Sequence, residues 1–330
     1  MYKNILVTGG AGFIGSNLVD ELLKNPKNKI FVVDDLSTGT EDTIKHNYSN
    51  PNFKFIKADI RDYEKMENVI CRGIDCIYHL AVQCVRMSIY DPDIVHEVNA
   101  TGTLNMLKAA LKNRVKKFVY VSSSEVYGTA KSVPMSEEHP TEPTTIYGAS
   151  KLVGEHYTRA FTKTYGLNTI IVRPFNTYGP REHFEGPYGE VIPKFSVRIK
   201  NNKQPLIFGD GTQTRDFTYI SDTIAGIILA SNSEELNGQT INIAYGQEVS
   251  VKEIAKNILE NLNSDLQPKY YGPRPGDVLR HYADISKAKQ ILNFQPKVDI
   301  KTGIKLYLDW LNTQKIDSSK EAEFNWLKND

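Results

Sequence analysis

The sequence predicts an α/β fold with a parallel, doubly wound sheet, and three observations predict it. Short apolar runs alternate with amphipathic stretches through the first half of the chain. A glycine-rich string stands between the first apolar run and the first amphipathic one. An aspartate closes the second apolar run, nineteen residues after the last glycine of that string. Strands alternating with helices pair in parallel, because each helix carries the chain back across the sheet.

Residues 3–8 (KNILVT) read as a buried strand and 13–24 as the helix after it. Strands follow at 30–34 (IFVVD), 53–57 (FKFIK), 75–79 (DCIYH) and 117–122 (KFVYVS). Between the last two, 91–112 has helical periodicity and opens on Asp91-Pro92, a capping residue and a first-turn proline. Residues 147–165 read as a further helix and 169–172 as a strand. After Arg173-Pro174 the chain is rich in glycine, proline and aromatics through Pro193, the composition of a functional loop. Helices are expected again at 191–200, 222–230, 251–261 and 302–311, and from about Thr313 the chain is polar.

With 330 residues, 40% of them hydrophobic and 24% charged, the chain can bury a sizeable core. A net charge of +1 argues against a dedicated nucleic-acid binder and leaves room for a local basic patch. Cys71, Cys76 and Cys84 form neither a disulfide framework nor a zinc spacing; they read as reduced, mostly buried thiols, and no metal is expected. No run approaches the ~18 apolar residues that span a bilayer. The N-terminus runs directly into a strand with no signal peptide, so a cytoplasmic location is expected.

In Thr8-Gly9-Gly10-Ala11-Gly12-Phe13-Ile14-Gly15, the glycines at 9, 12 and 15 permit a tight turn, close approach of a pyrophosphate and packing of the helix on the sheet. Phe13 and Ile14 open the helix whose free N–H groups would face the phosphates. Asp34 ends the second strand, where a carboxylate accepts hydrogen bonds from the adenosine ribose and repels a 2′-phosphate. The expected cofactor is therefore NAD rather than NADP. Asp59, in KADIRD, is placed near the adenine edge.

The fifth strand ends in Ser122-Ser123-Ser124-Glu125-Val126-Tyr127-Gly128, and Tyr147-Gly148-Ala149-Ser150-Lys151 opens the next helix. Tyr147 and Lys151 are four apart and share a helical face. An ammonium beside a phenol favours the phenolate, as does a positive nicotinamide ring, so a tyrosine that ordinarily titrates near ~10 can act as a base at neutral pH.

These motifs extend in one order over nearly the whole chain: TGGAGFIGSNL from Thr8, HLA at 79–81, VNATGTLNMLKAA at 98–110, SSSEVYG, YGASK, RPFNTYGPR at 173–181, GDGTQTRDFTYISD at 209–222 and PRPGDV at 273–278. With them the chain resembles the extended short-chain dehydrogenases that act on nucleotide sugars. The resemblance implies a Rossmann sheet over residues 1–175 carrying NAD, and a smaller interleaved α/β domain for the nucleotide sugar over 176–330, some segments of which return to the first. It implies that Ser123 bonds the sugar's 4-hydroxyl, that Tyr147 is the base there and that Lys151 binds the nicotinamide ribose. Ile60 and Leu80 join Gly9, Gly12, Phe13, Ile14, Gly15, Asp34 and Asp59 around NAD. On the substrate side it implies Ser124 beside the sugar, Asn176 on the diphosphate, Arg215 and Arg274 neutralising it, and Asp277 on the nucleotide's ribose. Asn99 matches a helix asparagine that is structural rather than catalytic. Arg215 and Arg274, isolated in loops, also suit phosphate on their own chemistry, though Arg274 equally fits a surface arginine. A homodimer through 91–112 and 147–165 is implied as well; Leu104, Leu107 and Leu111 form a stripe that suits either that interface or the core.

The shared opening step of the family yields a 4-keto sugar and NADH, and Glu125 leaves the continuation open. Elimination needs a base at C5 and epimerisation does not, while Glu125 could also merely bond a neighbouring turn. No aspartate precedes it; Ser124 stands there. The strings YGASKLVGEHY, RPFNTYGPR and RPGDV read more like the 4-epimerase branch. The loop 181–190 carries Glu182, Glu185 and Glu190 and is a poor receptor for a uronic acid, an objection that Arg181 and His183 soften. The expected function is an NAD-dependent nucleotide-sugar 4-epimerase acting on a UDP-hexose, with a 4,6-dehydratase using Glu125 as the C5 base second and a UDP-glucuronate decarboxylase third.

Overall fold

The computed structural model describes residues 2–184, 189–273 and 278–316. In chain order the first half gives β1 (Asn4–Thr8), α1 (Phe13–Leu23), β2 (Lys29–Asp34), β3 (Phe53–Lys57), α2 (Tyr63–Ile70) and β4 (Cys76–His79). There follow α3 (Met87–Tyr90), α4 (Pro92–His96), a π-helical turn (Glu97–Gly102), α5 (Thr103–Lys112), β5 (Lys117–Val121), α6 (Ile146–Tyr165) and β6 (Thr169–Pro174). The second half gives β7 (Thr177–Tyr178), α7 (Val191–Lys200), β8 (Leu206–Phe208), β9 (Thr214–Arg215), β10 (Thr218–Tyr219), α8 (Ile220–Asn232) and β11 (Thr240–Ile243). It ends with β12 (Val249–Ser250), α9 (Val251–Asn261), β13 (Lys269–Tyr271), β14 (Arg280–His281), α10 (Ser286–Leu292) and α11 (Ile300–Leu311).

Seven strands form one parallel sheet in the order β11-β6-β5-β4-β1-β2-β3. Their alternate residues feed two apolar layers. Val7, Ile30 and Val32 meet Leu18, Val19, Ile224 and Ile227 of α1 and α8 on one face. Leu6, Val33, Ile77 and Phe118 meet Met66, Met106, Leu107 and Phe161 of α2, α5 and α6 on the other. Burial on both faces is why these strands read as continuous apolar runs. The chain leaves β1 toward β2 on one side and resumes at β4 on the other, and at such a switch point the carboxyl ends of the strands open a crevice.

β11 joins this sheet beside β6 although it comes from the second half; its four residues carry no period that distinguishes a strand. α2 and α10 are also additions to the expected elements, although Asp62 caps α2 and Met66, Val69 and Ile70 give it a helical apolar spacing. The helix expected at 91–112 is present over 92–112: Asp91 caps α4 by accepting Ile94 N–H at 3.0 Å, and the π turn lies inside this winding and joins α4 to α5. Leu107 is fully buried, and Leu104 and Leu111 pack against the same layer, so that stripe belongs to the core. The cysteines depart from expectation as well: Cys76 is buried and Cys84 half-buried, but Cys71 is exposed. Among the described residues no helix is long and apolar enough to cross a membrane.

Candidate active site

A cleft of about 500 Å³ lies at the carboxyl edge of the sheet. Gly9, Gly12, Phe13, Ile14, Gly15, Asp34, Asp59, Ile60, Leu80, Ser123, Ser124, Glu125, Tyr147, Lys151, Asn176 and Arg215 all line it. Residues spread over more than two hundred positions of sequence thus meet as expected. Arg274 and Asp277 lie outside the described residues.

The glycine turn is a cradle that side chains would fill. A Cβ on Gly15 would fall 2.1 Å from the Gly9 carbonyl oxygen, and one on Gly9, whose φ is +68°, would fall 2.7 Å from the Ala81 nitrogen. Gly12 gives α1 no side-chain cap, so the first-turn N–H groups are available to an anion. Asp34 is buried and accepts Ala11 N–H and Leu36 N–H, each at 2.9 Å, one on each carboxylate oxygen. Burial raises its pKa and the two backbone bonds oppose this. Each oxygen keeps a lone pair for a ribose hydroxyl. These residues fit NAD. Asp59 lines the same wall, but Arg61 holds it through its backbone N–H at 2.8 Å and its guanidinium at 2.7 Å.

Beyond β5, Ser123 caps a turn of 3₁₀-helix, its hydroxyl accepting Glu125 N–H at 3.1 Å. Thr145 caps α6 by accepting Gly148 N–H at 3.0 Å, which sets Tyr147 in the first turn. Burial pushes the Tyr147 phenol above its ordinary range; a bond from Ser123 opposes that, and Glu125, Cys84 and Glu190 push it further up. The expected lowering by Lys151 is not what the structure has. The Lys151 ammonium donates to the Val121 carbonyl at 2.6 Å and lies 4.5 Å from the centre of the Tyr120 ring. Burial brings its pKa down to about 7, with Glu155 pulling the other way.

Below these groups is a buried ionic knot. Glu155, two turns beyond Tyr147 on the same face of α6, accepts Ser122 Oγ at 2.7 Å, Arg173 Nε at 2.8 Å, Arg173 Nη2 at 2.6 Å and Arg159 Nη2 at 2.7 Å. Asn99, in the π turn, accepts Gln83 N–H at 2.8 Å and donates to the Gln83 carbonyl and to Ser150 Oγ, each at 3.0 Å. Ser150 in turn donates to the Tyr147 carbonyl at 2.8 Å. Asn99 therefore ties the loop after β4 to the helix that carries Tyr147, in keeping with a structural role.

Asn176 has φ +24° and donates to the Asp216 carbonyl at 3.3 Å. Arg215 donates to the carbonyls of Thr214 at 2.9 Å and Val278 at 2.6 Å. Glu182 is buried in the cleft wall, and burial holds its carboxyl far above the ordinary range. Arg181 does not line the cleft; it pairs with Asp20 on α1, so it does not offset the acids of its loop. Gln83 and Arg86 after β4, and Phe208, also line the cleft without any local pattern that marks them, as do Cys84, read only as a thiol, and Phe217. Phe208 stacks on Tyr271 at 5.7 Å between ring centres.

Comparison with known proteins shows the family and the fold. The family described as GDP-mannose 4,6 dehydratase matches residues 6–307. A UDP-glucose 4-epimerase of Mycolicibacterium smegmatis is 36% identical over 301 residues, 91% of this chain and 95% of the relative. The crystal structure of a UDP-glucose 4-epimerase with UDP-glucose from Thermotoga maritima superposes with a TM-score of 0.88 at 34% identity, covering 94% of this chain and 98% of that one. A dTDP-glucose 4,6-dehydratase of Streptomyces venezuelae, with NAD and TYD bound, also gives 0.88, at 32% identity over 94% of this chain and 97% of that one.

Proposed function

This chain belongs to the extended short-chain dehydrogenase family of NAD-dependent nucleotide-sugar epimerases and dehydratases, and from that premise we propose that it is a UDP-hexose 4-epimerase. The observation that carries the reading is the meeting of Ser123, Tyr147 and Lys151 in one cleft with the glycine turn and Asp34. NAD, when bound, would supply the hydride acceptor for C4 of the sugar and the donor that returns hydride to the opposite face of C4, and its positive ring would favour the Tyr147 phenolate. The first turn of α1 faces the pyrophosphate, Asp34 accepts from the adenosine ribose, and Lys151 donates to the nicotinamide ribose. Ser123 holds the 4-hydroxyl, and Tyr147 removes its proton and restores it to O4 after the 4-keto sugar has turned its opposite face of C4 toward the nicotinamide side of the cleft. Asn176 and Arg215 hold the diphosphate, as would Arg274, with Ser124 beside the sugar and Asp277 on the nucleotide ribose.

Residues 1–175 form the NAD domain and 176–330 the substrate domain, with β11 returning to the sheet of the first. The enzyme works in the cytoplasm as a homodimer through α3–α6, where Ile89, Tyr90, Ile146 and Tyr165 are exposed apolar residues that support such a contact.

A second reading has one observation behind it. Glu125 lines the same cleft as Tyr147 and its charge raises the Tyr147 phenol, which supports a carboxylate available as a C5 base for elimination. Incubation with UDP-, GDP- and dTDP-sugars, followed by NMR, separates the two. A new C4 configuration at unchanged mass, retained in Glu125→Gln, identifies the epimerase. Loss of water with a new C6 methyl, abolished in Glu125→Gln, identifies the 4,6-dehydratase.

Asp34→Ala is expected to weaken NAD by ~10–100-fold and NADP much less, since one to two charge-assisted ribose bonds disappear. Cofactor titration of both proteins checks this; equal binding of the two cofactors by the wild type overturns the NAD assignment.

A further inference from the structure

The cleft wall holds an ion pair with no part in the reading above. Arg86, between β4 and α3, donates from Nη2 to Glu190 Oε2 at 3.1 Å, and Glu190 stands at the N-terminal cap of α7. The partners come from the two halves of the chain and both line the cleft. The Arg86 side chain is mostly buried and its Nε has no hydrogen-bond partner among the described residues. The charge of Glu190 reaches the Tyr147 phenol and the Glu182 carboxyl, raising both. The pair lines the same cleft as Tyr147, the residue proposed to take the proton of a sugar's C4 hydroxyl. A hexose bound there presents its C3 hydroxyl and its C5 substituent one carbon away.

We infer that the Arg86–Glu190 pair selects sugars that are uncharged at C6 and rejects hexuronic acids, an inference that rests on the nucleotide-sugar reading above. A free guanidinium here would receive a uronate carboxylate through parallel bonds. Glu190 already occupies it and adds a like charge, beside Glu125 in the same cleft. The Glu190 side chain is 55% exposed, so water screens it in part, but a like charge brought against it is still disfavoured, whereas a neutral hydroxymethyl can bond either partner. Arg181 is committed to Asp20. Lys194, four residues beyond Glu190, also lines the cleft, but it is unchanged in the variants below and cancels between them.

The test compares UDP-glucose with UDP-glucuronic acid, as substrates by kcat/KM and as competitive inhibitors of one another, in the wild type, Glu190→Gln and Arg86→Gln. The wild type should prefer the neutral sugar. Glu190→Gln frees Arg86 and should shrink that preference by about tenfold or more, whereas Arg86→Gln leaves Glu190 uncompensated and should enlarge it. Loss of a merely structural contact would weaken both sugars alike in both variants. Equal use of the two sugars by the wild type, or a shift of the ratio in one direction by both variants, overturns the inference. A wild type that converts neither sugar yet discriminates between them as inhibitors overturns the reaction assigned above and sustains the selectivity; one that binds neither overturns both.

Discussion

Replacing Tyr147 with phenylalanine is expected to lower kcat by on the order of 10³-fold while the protein keeps its NAD. The ring still fills the first turn of α6, so packing is retained, and the only atom lost is the phenol oxygen proposed to take the 4-hydroxyl proton. General acid–base groups contribute ~10²–10⁴ in rate, and Ser123 retains its own place at the turn after β5. Burial, Glu125 and Glu190 all hold the phenol above its ordinary range in the structure, so the substrate-loaded, NAD-bound enzyme must lower it before the first step. Single-turnover measurement of bound-cofactor reduction checks the assignment: reduction at near wild-type rate in Tyr147→Phe removes the residue from the mechanism.

The second large effect is on stability. Arg173→Met leaves Glu155, a side chain with no exposure, facing only Ser122 and the more peripheral Arg159. Removing one partner of a buried ion pair costs up to about 3–5 kcal/mol where the remaining charge is left desolvated without compensation, and Arg159, which keeps its bond to Glu155, puts the expected loss at the lower end of that range. Urea unfolding should show that loss, with the double variant Glu155→Gln/Arg173→Met recovering much of it. A loss under about 1 kcal/mol, or a double variant no better than the single one, would mean that the knot is not held by its charges. The same knot grips Ser122, the residue before Ser123, so stability and sugar binding share this support.

Much of this was legible in the sequence, and the exceptions have physical causes. Phe53–Lys57, Val191–Lys200 and Val251–Asn261 occupy the expected bounds, because apolar runs and helical periods there are unambiguous. The glycine turn, Asp34, Ser123, Tyr147 and Lys151 were readable because backbone freedom, a charge at a strand end and a four-residue spacing are local properties. Gln83, Arg86 and Phe208 are not local: they become cleft residues only when separate loops meet. The spacing of Tyr147 and Lys151 gave the shared face but not the direction of the ammonium, which goes to the Val121 carbonyl. Likewise, Leu104, Leu107 and Leu111 could be placed on one side of α5, yet only the packing against α2 and the sheet decided what covers them.

The π turn at Glu97–Gly102 carries one more consequence. An α-helix advances by about 100° per residue, and a π turn holds a residue beyond what regular winding would accommodate. It therefore sets the rotational phase between Asn99, which must face Gln83 and Ser150, and Met106 and Leu107, which must face the sheet. Deleting a single residue within the turn would restore even winding and leave one of these two sets aimed wrongly. In this segment the count of residues is thus as much a part of the site as their chemistry: a gap of one, harmless in a surface loop, would here uncouple the catalytic helix from the wall of the cofactor cleft.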